Sequence, residues 1–277
     1  MKLTFTKIHS LGNDFVIINA LAKEFIPSRT LISKLADRHC GIGCDQVLLL
    51  QQPKSFIADF EYQIFNADGS SAFQCGNGVR CLAKFIEIQE ISNKKQLIFT
   101  TKNTVTKTIL RSDGLVTAII DGPNFEPSNI PIIANKQSLR YNICLLDNIK
   151  VEFGAVSVGN PHVVILVDNI ATAPVDSWGS LITNHKMFPE RINVNFMQII
   201  DRNHISLRVY ERGSNETLAC GSGACASVVI GKLWELIDEK VLVKLYGGNL
   251  CVEWNKVENN ISIIGPVEPV FIGEIDL

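Results

Sequence analysis

Short runs of alternating or continuous apolar residues, bounded by turn residues, occupy most of the chain and predict strands. In the first half they fall at residues 3–8, 14–19, 47–50, 60–65, 97–101, 105–110 and 115–120. In the second half they fall at residues 149–158, 162–167, 193–200, 205–210, 241–245, 250–254, 261–264 and 270–275. Helical spacing is confined to four segments, which begin near residues 28, 76, 176 and 221. The pattern predicts a strand-rich α+β protein.

Two of the four helical segments are apolar on most faces, which is typical of a helix buried all round. Each begins with a Cys-Gly-x-Gly tetrad, Cys75-Gly76-Asn77-Gly78 in the first and Cys220-Gly221-Ser222-Gly223 in the second. We expect the first helix to end near residues 92–93, the second to end near Ile237, and each to be wrapped by a strand-rich barrel.

The tetrads belong to an internal repeat whose offset stays between 145 and 147. Asn66 and Glu211 each lie nine residues before a tetrad cysteine. At the larger offset, Asn13 matches Asn160 and Gln46 matches Asn193. Because only two units fit, we interpret the chain as a duplicated domain. A turn-rich crossing at residues 121–123 predicts a second domain of residues 121–264 and a first domain of residues 1–120.

Composition limits the class of protein. The chain has 277 residues, of which 46% are hydrophobic and 19% charged, and its formal net charge is −2. Such a chain is typical of a soluble globular protein, and we expect neither nucleic acid nor a membrane as partner. Eight cysteines without a signal peptide indicate reduced thiols in the cytoplasm. Their spacing matches no paired zinc motif, so we expect no metal.

A thiol at a helix N-terminus can ionise near neutral pH, because the helix dipole favours the negative charge. Two such thiols facing one small molecule can remove a proton from one face of a carbon and return one to the other face. Backbone N–H groups at the two helix starts would stabilise the developing carbanion through its carboxylate. No nucleotide-binding glycine motif is present, and we expect no cofactor.

Five segments closely resemble the diaminopimelate epimerase family, within the cofactor-independent group that includes proline racemase. They are SLGNDF, QCGNGVRC, VGNPH, RINVNF and ERGSNETLACGSGACA. The resemblance implies epimerisation of LL-2,6-diaminopimelate to meso-diaminopimelate, for lysine and peptidoglycan precursors, without pyridoxal phosphate. It implies two homologous barrels related by a pseudo-twofold axis, with the site in the cleft between them. It also implies that residues 265–277 return to the first domain, and we expect a homodimer.

The resemblance also assigns roles residue by residue. Cys75 and Cys220 are the acid/base pair, supported by His162 and Glu211. The positions implied to contact substrate are Asn13, Gln46, Asn66, Gly76, Asn77, Asn160, Asn193, Glu211, Arg212, Gly221 and Ser222. The chain departs from the family at Gln74, where glutamate is usual, and at Ser214-Asn215.

Other interpretations stay open from the residues alone. Each asparagine suits a turn or cap, His162 a buried core position, and Arg212 a surface ion pair. An enzyme similar to proline racemase or hydroxyproline epimerase would need one carboxylate site, whereas Glu211 and Arg212 can bind a second amino-acid head group. A thiol–disulfide protein is disfavoured because neither tetrad cysteine has a Cys-x-x-Cys partner. A non-catalytic binding module on the same fold remains a third class.

Overall fold

The computed structural model describes residues 2–22, 25–72, 75–145 and 148–276. Gln74 therefore lies outside the described residues. The chain divides into two compact units, residues 1–120 with 264–277 and residues 121–263. Here they are called unit 1 and unit 2.

The following strands and helices lie in the first segment of unit 1. They are β1 (Lys2–Ser10), β2 (Asn13–Asn19), α1 (Arg29–Ala36), β3 (Gln46–Gln51), β4 (Phe60–Asn66), β5 (Ser71–Ala72), α2 (Gly76–Ile88), β6 (Gln96–Thr100) and β7 (Val105–Leu110), and β8 (Val116–Asp121) follows. Strands β1 and β2 form an antiparallel hairpin, β2 and β3 run parallel, and β3 and β4 run antiparallel. Strands β4 and β6 are parallel, and β6, β7 and β8 continue antiparallel.

The middle strands of unit 1 are buried on both faces, and their alternation assigns each face to one helix. Phe15, Ile17 and Leu48 pack in the cluster that contains the apolar residues of α2. The residues between them, Val16 and Val47 among others, pack with the apolar face of α1. Because side chains alternate along a strand, one run of apolar residues supplies both cores. Helix α2 is thus enclosed, as its sequence predicts.

Unit 2 repeats this order. Its elements are β9 (Tyr141–Cys144), β10 (Lys150–Ser157), β11 (Pro161–Leu166), α3 (Val175–Thr183), β12 (Asn193–Asp201), β13 (His204–Glu211), β14 (Asn215–Thr217), α4 (Gly221–Leu233), β15 (Lys240–Leu245), β16 (Gly248–Asn255) and β17 (Asn260–Gly265). The pairs β10–β11, β11–β12, β12–β13, β13–β15 and β15–β16 are antiparallel, parallel, antiparallel, parallel and antiparallel, in that order. This is the sequence of pairings seen in unit 1.

Each unit flanks its first long strand with one further strand, taken from a different part of the chain. In unit 2 the short strand β9 pairs with β10 from the residues just before it. In unit 1 the chain terminus supplies the partner, because β18 (Glu268–Asp276) pairs antiparallel with β1. The hydrophobic pattern of the sequence predicted no strand at β9, β5 or β14, all of which have at most four residues.

Helix α4 is buried along nearly its whole length, from Gly221 and Gly223 to Gly231. It contacts β10, β11, β12 and β16, whereas α3 contacts β12, β13 and β14. Close packing explains the small residues of α4, because a Cβ at Gly231 would meet Ile237 Cδ1 at 2.6 Å. The expected class, α+β with one buried helix in each strand-rich unit, is confirmed.

Both buried helices end earlier than predicted, α2 at Ile88 and α4 at Leu233. Glu90 has φ 52° and Glu235 has φ 61°, so each adopts the left-handed conformation that ends a helix. The following amides bond back across the last turn, Ile91 N to Ile86 O at 3.1 Å and Leu236 N to Gly231 O at 3.0 Å. The predictions overran because glutamate, rather than the usual glycine, occupies this position.

Among the described residues, no helix is both long and apolar enough to cross a membrane.

Candidate active site

The two tetrad cysteines cap the two buried helices with the same geometry. Cys75 (φ −146°, ψ 108°) precedes α2, and Cys220 (φ −122°, ψ 108°) precedes α4. The Cys75 sulfur accepts the Gly78 N–H at 3.3 Å, and the Cys220 sulfur accepts the Gly223 N–H at 3.4 Å. Each sulfur therefore takes the place of the side-chain oxygen that usually caps a helix. The first N–H groups of each helix, which have no intrahelical acceptor, lie beside a thiol.

In unit 1 a chain of side-chain amides surrounds Cys75. The Asn13 oxygen lies 4.0 Å from the Cys75 sulfur and accepts from Asn77 Nδ2 at 3.2 Å. The Asn77 oxygen accepts from Arg80 Nη2 at 2.7 Å, and Asn13 Nδ2 donates to Asp45 Oδ2 at 2.9 Å. Arginine only donates and a carboxylate only accepts, so the two ends fix how both amides are turned.

Arg80 is an arginine on a buried helix, with its side chain fully enclosed. Besides Asn77, it contacts the Ser10 hydroxyl at 2.8 Å and, through Nε, the Gly76 carbonyl at 3.3 Å. Ser10 in turn donates to the Pro266 carbonyl at 2.9 Å. Arg80 therefore holds the start of α2 and the Asn77 amide together. Arg80 was not among the predicted site residues, although a charged residue directly between Val79 and Cys81 is a signal.

Gln46 and Asn66 form a separate pair in unit 1. They face each other across β3 and β4, and Gln46 Nε2 donates to Asn66 Oδ1 at 2.9 Å. Asn66 Nδ2 then donates to the Ser70 hydroxyl at 3.1 Å.

In unit 2 the corresponding polar chain leads from a histidine to the thiol. His162 Nε2 lies 3.1 Å from Asn160 Oδ1, and Asn160 Nδ2 donates to the Ser222 hydroxyl at 3.2 Å. The Ser222 oxygen lies 3.5 Å from the Cys220 sulfur. The three residues predicted from the VGNPH and tetrad motifs are thus connected to Cys220.

Asn195 completes this chain from the far side of His162, and it was not among the predicted site residues. Its Nδ2 lies 3.1 Å from His162 Nδ1 and 2.7 Å from the Val163 carbonyl. Both Asn195 and His162 are fully buried. Burial, followed by the positive charge of Arg212, lowers the pKa of His162 to about 3, so the ring is neutral.

Glu211 sets the charge around Cys220. Burial raises the pKa of the Cys220 thiol well above its ordinary value, and the charge of Glu211 raises it further. The Ser222 hydroxyl and the Gly223 N–H act in the opposite direction. Glu211 is itself held by the Thr217 hydroxyl, which donates to Oε1 at 2.5 Å. The arrangement keeps the Cys220 thiol protonated at neutral pH.

Asn193 and Arg212 meet at the end of β13. Asn193 Nδ2 donates to the Pro161 carbonyl at 2.9 Å, and Asn193 Oδ1 accepts the Arg212 backbone N–H at 3.1 Å. The Arg212 side chain is exposed, and its Nη1 donates to the Glu190 carbonyl at 3.1 Å. No carboxylate of the described residues forms a salt bridge with it, so a cation is available to a dissolved ligand.

Within residues 2–22, 25–72, 75–145 and 148–276, no cluster of three His, Cys, Asp or Glu side chains could hold a metal ion. The groups described above can carry out proton transfer by thiols, with amides, a neutral imidazole and helix N–H groups to bind and orient an anion.

Comparison with known proteins identifies the family to which the chain is similar. A profile of the diaminopimelate epimerase family matches residues 5–125 and 154–270. The diaminopimelate epimerase of Teredinibacter turnerae is 43% identical over 277 residues, and that of Alkalilimnicola ehrlichii 46% identical over 279, each covering 100% of both chains. A hydroxyproline epimerase from Agrobacterium vitis, solved with bound trans-4-hydroxy-L-proline, has a TM-score of 0.75 at 13% identity, covering 100% of this chain and 93% of its own. That last likeness concerns the fold alone.

Proposed function

Because the chain belongs to the diaminopimelate epimerase family, we propose that it converts LL-2,6-diaminopimelate to meso-diaminopimelate in the supply of lysine and peptidoglycan precursors. One observation carries the proposal: the same capped thiol occurs at the start of the buried helix in each of two repeated units. We assign residues 1–120 with 265–277 to the Cys75 half of the enzyme and residues 121–264 to the Cys220 half.

The reaction is a proton exchange without a redox step. One cysteine, as thiolate, removes the α-proton and becomes a thiol, leaving a carbanion on the substrate. The other cysteine, as thiol, gives its proton to the opposite face and becomes a thiolate. Because the pKa of Cys220 is raised, Cys220 starts as the thiol that donates a proton. Cys75 is then the thiolate that removes the α-proton in one direction of the reaction. The return reaction uses the pair in reverse.

Stabilisation of the carbanion comes from backbone N–H groups at the two helix starts. Gly76 and Asn77 supply them at α2, and Gly221 and Ser222 supply them at α4. These groups bind the carboxylate beside the reacting carbon, where negative charge grows in the transition state. Because these N–H groups stabilise the carbanion, the proposed reaction does not need pyridoxal phosphate.

The distal amino-acid head of the substrate needs partners of its own. Arg212 offers a cation to the distal carboxylate, and Glu211 offers an anion to an ammonium group. The amides Asn13, Gln46, Asn66, Asn160 and Asn193 complete the binding positions, and His162 orients Asn160. Two charged groups of opposite sign suit a diamino diacid better than a single amino acid such as proline.

A labelling experiment tests the activity. Purified protein is incubated with LL-diaminopimelate in D₂O without pyridoxal phosphate, and stereochemistry and deuterium are read together. Deuterium should enter only the α-carbon that inverts. Trans-4-hydroxy-L-proline serves as the competing substrate, and turnover of that compound alone would favour the hydroxyproline epimerase alternative. Activity that depends fully on added pyridoxal phosphate would exclude the thiol mechanism.

We further propose that the protein is cytoplasmic and forms a homodimer through β18. Three consecutive apolar residues of this strand are exposed, Val270 by 54%, Phe271 by 49% and Ile272 by 59%. Side chains alternate along a strand, so Val270 and Ile272 share one face, and neighbouring exposed apolar residues mark interaction surfaces. Sedimentation equilibrium should give a dimer for the wild type and a monomer for Ile272→Glu. The control Val257→Glu changes an exposed residue elsewhere and should stay dimeric.

A further inference from the structure

The side-chain amino group of Asn195 has two hydrogen-bond acceptors, one for each of its hydrogens. One acceptor is the Val163 carbonyl at 2.7 Å, which has no hydrogen to give, so the amino end of the amide must face it. The same nitrogen lies 3.1 Å from His162 Nδ1. Its second hydrogen therefore points at the ring, and Nδ1 is the nitrogen without a proton.

The other ring nitrogen of His162 must then be the donor. A neutral imidazole carries one proton, and with Nδ1 accepting, that proton is on Nε2. Nε2 lies 3.1 Å from the Asn160 oxygen, which can only accept. The Asn160 amide is thereby turned so that its amino group faces the Ser222 hydroxyl at 3.2 Å. Ser222 accepts there, and its own hydrogen is left for the Cys220 sulfur at 3.5 Å.

We propose that Asn195 is a positioning residue that fixes His162 as the Nε2-protonated tautomer. Through Asn160 and Ser222, that tautomer directs a hydroxyl hydrogen toward the Cys220 sulfur and stabilises its thiolate when it forms. This role rests on the proposed function, in which Cys220 alternates between thiol and thiolate.

Packing alone does not require the polar pair. At the same positions of the repeat, unit 1 has Phe15 in place of His162 and Leu48 in place of Asn195. The strand registers agree, because Ile17 pairs with Leu48 in parallel as Val164 pairs with Asn195. The fold therefore accommodates two apolar side chains beneath the capping cysteine.

The polar pair also has a cost. The Asn195 oxygen is buried and has no hydrogen-bond partner among the described residues. It lies 2.4 Å from the position that a Cβ at Gly223 would take, so it faces the start of α4. A buried unpaired oxygen is unfavourable, and leucine would avoid the loss. Asparagine at this position is explained by the directed hydrogen bonds of its amino group.

Nitrogen NMR tests the tautomer directly. In ¹⁵N-histidine-labelled wild-type protein, two-bond ¹H–¹⁵N correlations should identify His162 as the Nε2-protonated neutral form. The chain has five histidines, so His162→Phe assigns the signals by their loss. In Asn195→Asp the new carboxylate can only accept, and His162 Nδ1 should become protonated. A wild-type ring protonated at Nδ1, or an Asn195→Asp spectrum unchanged from wild type, would overturn the assignment.

Kinetics test whether the tautomer matters to the reaction. Asn195→Leu, which copies unit 1, should lower kcat/KM roughly tenfold to a hundredfold, the effect of one or two lost hydrogen bonds near the reacting group. His162→Phe with Asn195→Leu should be no slower than His162→Phe alone, because Asn195 acts through His162. If the losses in kcat/KM of the two single variants add in the double variant, Asn195 has a structural role that is independent of His162. An unchanged kcat/KM in Asn195→Leu would overturn the positioning role.

A stability control separates positioning from damage to the fold. Ile182→Ala removes a fully buried side chain of α3 that takes no part in the hydrogen bonds from Asn195 to Cys220. This variant should have a lower Tm and a kcat/KM close to wild type. If wild-type protein fails to epimerise diaminopimelate in D₂O, the proposed function is wrong. The NMR comparison of wild type with Asn195→Asp still decides the tautomer in that case, because it needs no substrate.

Discussion

The two capping thiols have the same backbone geometry, but apolar side chains lie beneath one and polar side chains beneath the other. Beneath Gly78 in unit 1, the nearest side-chain atoms to an added Cβ are Phe15 Cε1 at 3.3 Å and Leu48 Cδ1 at 3.4 Å, besides the cysteine itself. Beneath Gly223 in unit 2, the nearest is the Asn195 oxygen. The repeated fold thus fixes where each sulfur lies, and the side chains around it differ between the units.

Charge differs in the same way. Unit 1 places the buried Arg80 at the start of α2, where unit 2 has Cys225, and unit 2 has Glu211 where unit 1 has Asn66. The negative charge of Glu211 helps to raise the pKa of the Cys220 thiol, and unit 1 has no charged side chain at the matching position.

The sharpest test of the comparison removes each thiol. Cys75→Ala and Cys220→Ala should each lower kcat for epimerisation by roughly 10²–10⁴-fold or more, the usual contribution of a positioned acid or base. Both halves are needed, since each face of the carbon requires its own proton carrier. Cys144→Ala and Cys251→Ala, which lie outside the tetrads, should retain nearly full activity. A wild-type rate in either tetrad variant would contradict the two-base assignment.

Removing the exposed charge of Arg212 in unit 2 should have the next largest effect. Arg212→Met should weaken diaminopimelate binding by roughly 2–5 kcal/mol if the distal carboxylate is desolvated against it. KM for diaminopimelate in steady-state assays measures the loss. Arg29→Met is the control, because Arg29 pairs with Asp68 on the surface of unit 1. An Arg212→Met enzyme with wild-type kcat and KM would make Arg212 a surface residue.

The repeat in the sequence explains which parts of this comparison could be predicted. Features that both units share, such as the capping thiols and the strand order, follow from an offset of 145–147. Arg80 and Asn195 could not be found in this way, because each has an apolar counterpart in the other unit. Their roles depend on hydrogen bonds to residues far apart in the chain, Arg80 to Ser10 and Asn195 to His162.

Arg80→Met tests the unit 1 network alone. The variant leaves the oxygen of Asn77 and the hydroxyl of Ser10 without their donor, at a cost of roughly 1–3 kcal/mol in kcat/KM or in stability. We expect KM to rise and Tm to fall, with partial recovery in Arg80→Lys, because lysine lacks the planar fork that reaches both groups. Cys225→Ala at the matched position of unit 2 should change KM little. The His162 NMR signals should not move, and a change there would contradict independent networks.

Glu211→Gln tests the charge of unit 2 by pH. The negative charge of Glu211 helps to raise the pKa of Cys220, so its removal should lower that pKa. Alkylation of Cys220 by iodoacetamide, followed by peptide mapping across pH, should then begin at lower pH than in wild type. The Cys75 peptide from the same samples is the internal control and should keep its profile. Glu239→Gln, on an exposed ion pair, should leave both unchanged.

The smallest expected effect concerns a feature that the units share. Glu90 and Glu235 hold left-handed backbone where each buried helix ends. For a residue with a side chain, that conformation costs roughly 1–2 kcal/mol, while glycine there costs about 0.4–1 kcal/mol in unfolded-chain entropy. Glu90→Gly and Glu235→Gly should therefore each stabilise the protein by roughly 0.5–1 kcal/mol, measured by urea denaturation. Gln89→Gly is the matched control, because Gln89 has φ −85° and gains nothing from glycine, so it should destabilise. If the two helix ends are equivalent, the double variant should gain the sum of the single effects, and a gain at one end only would mean that the other glutamate makes a stabilising contact of its own.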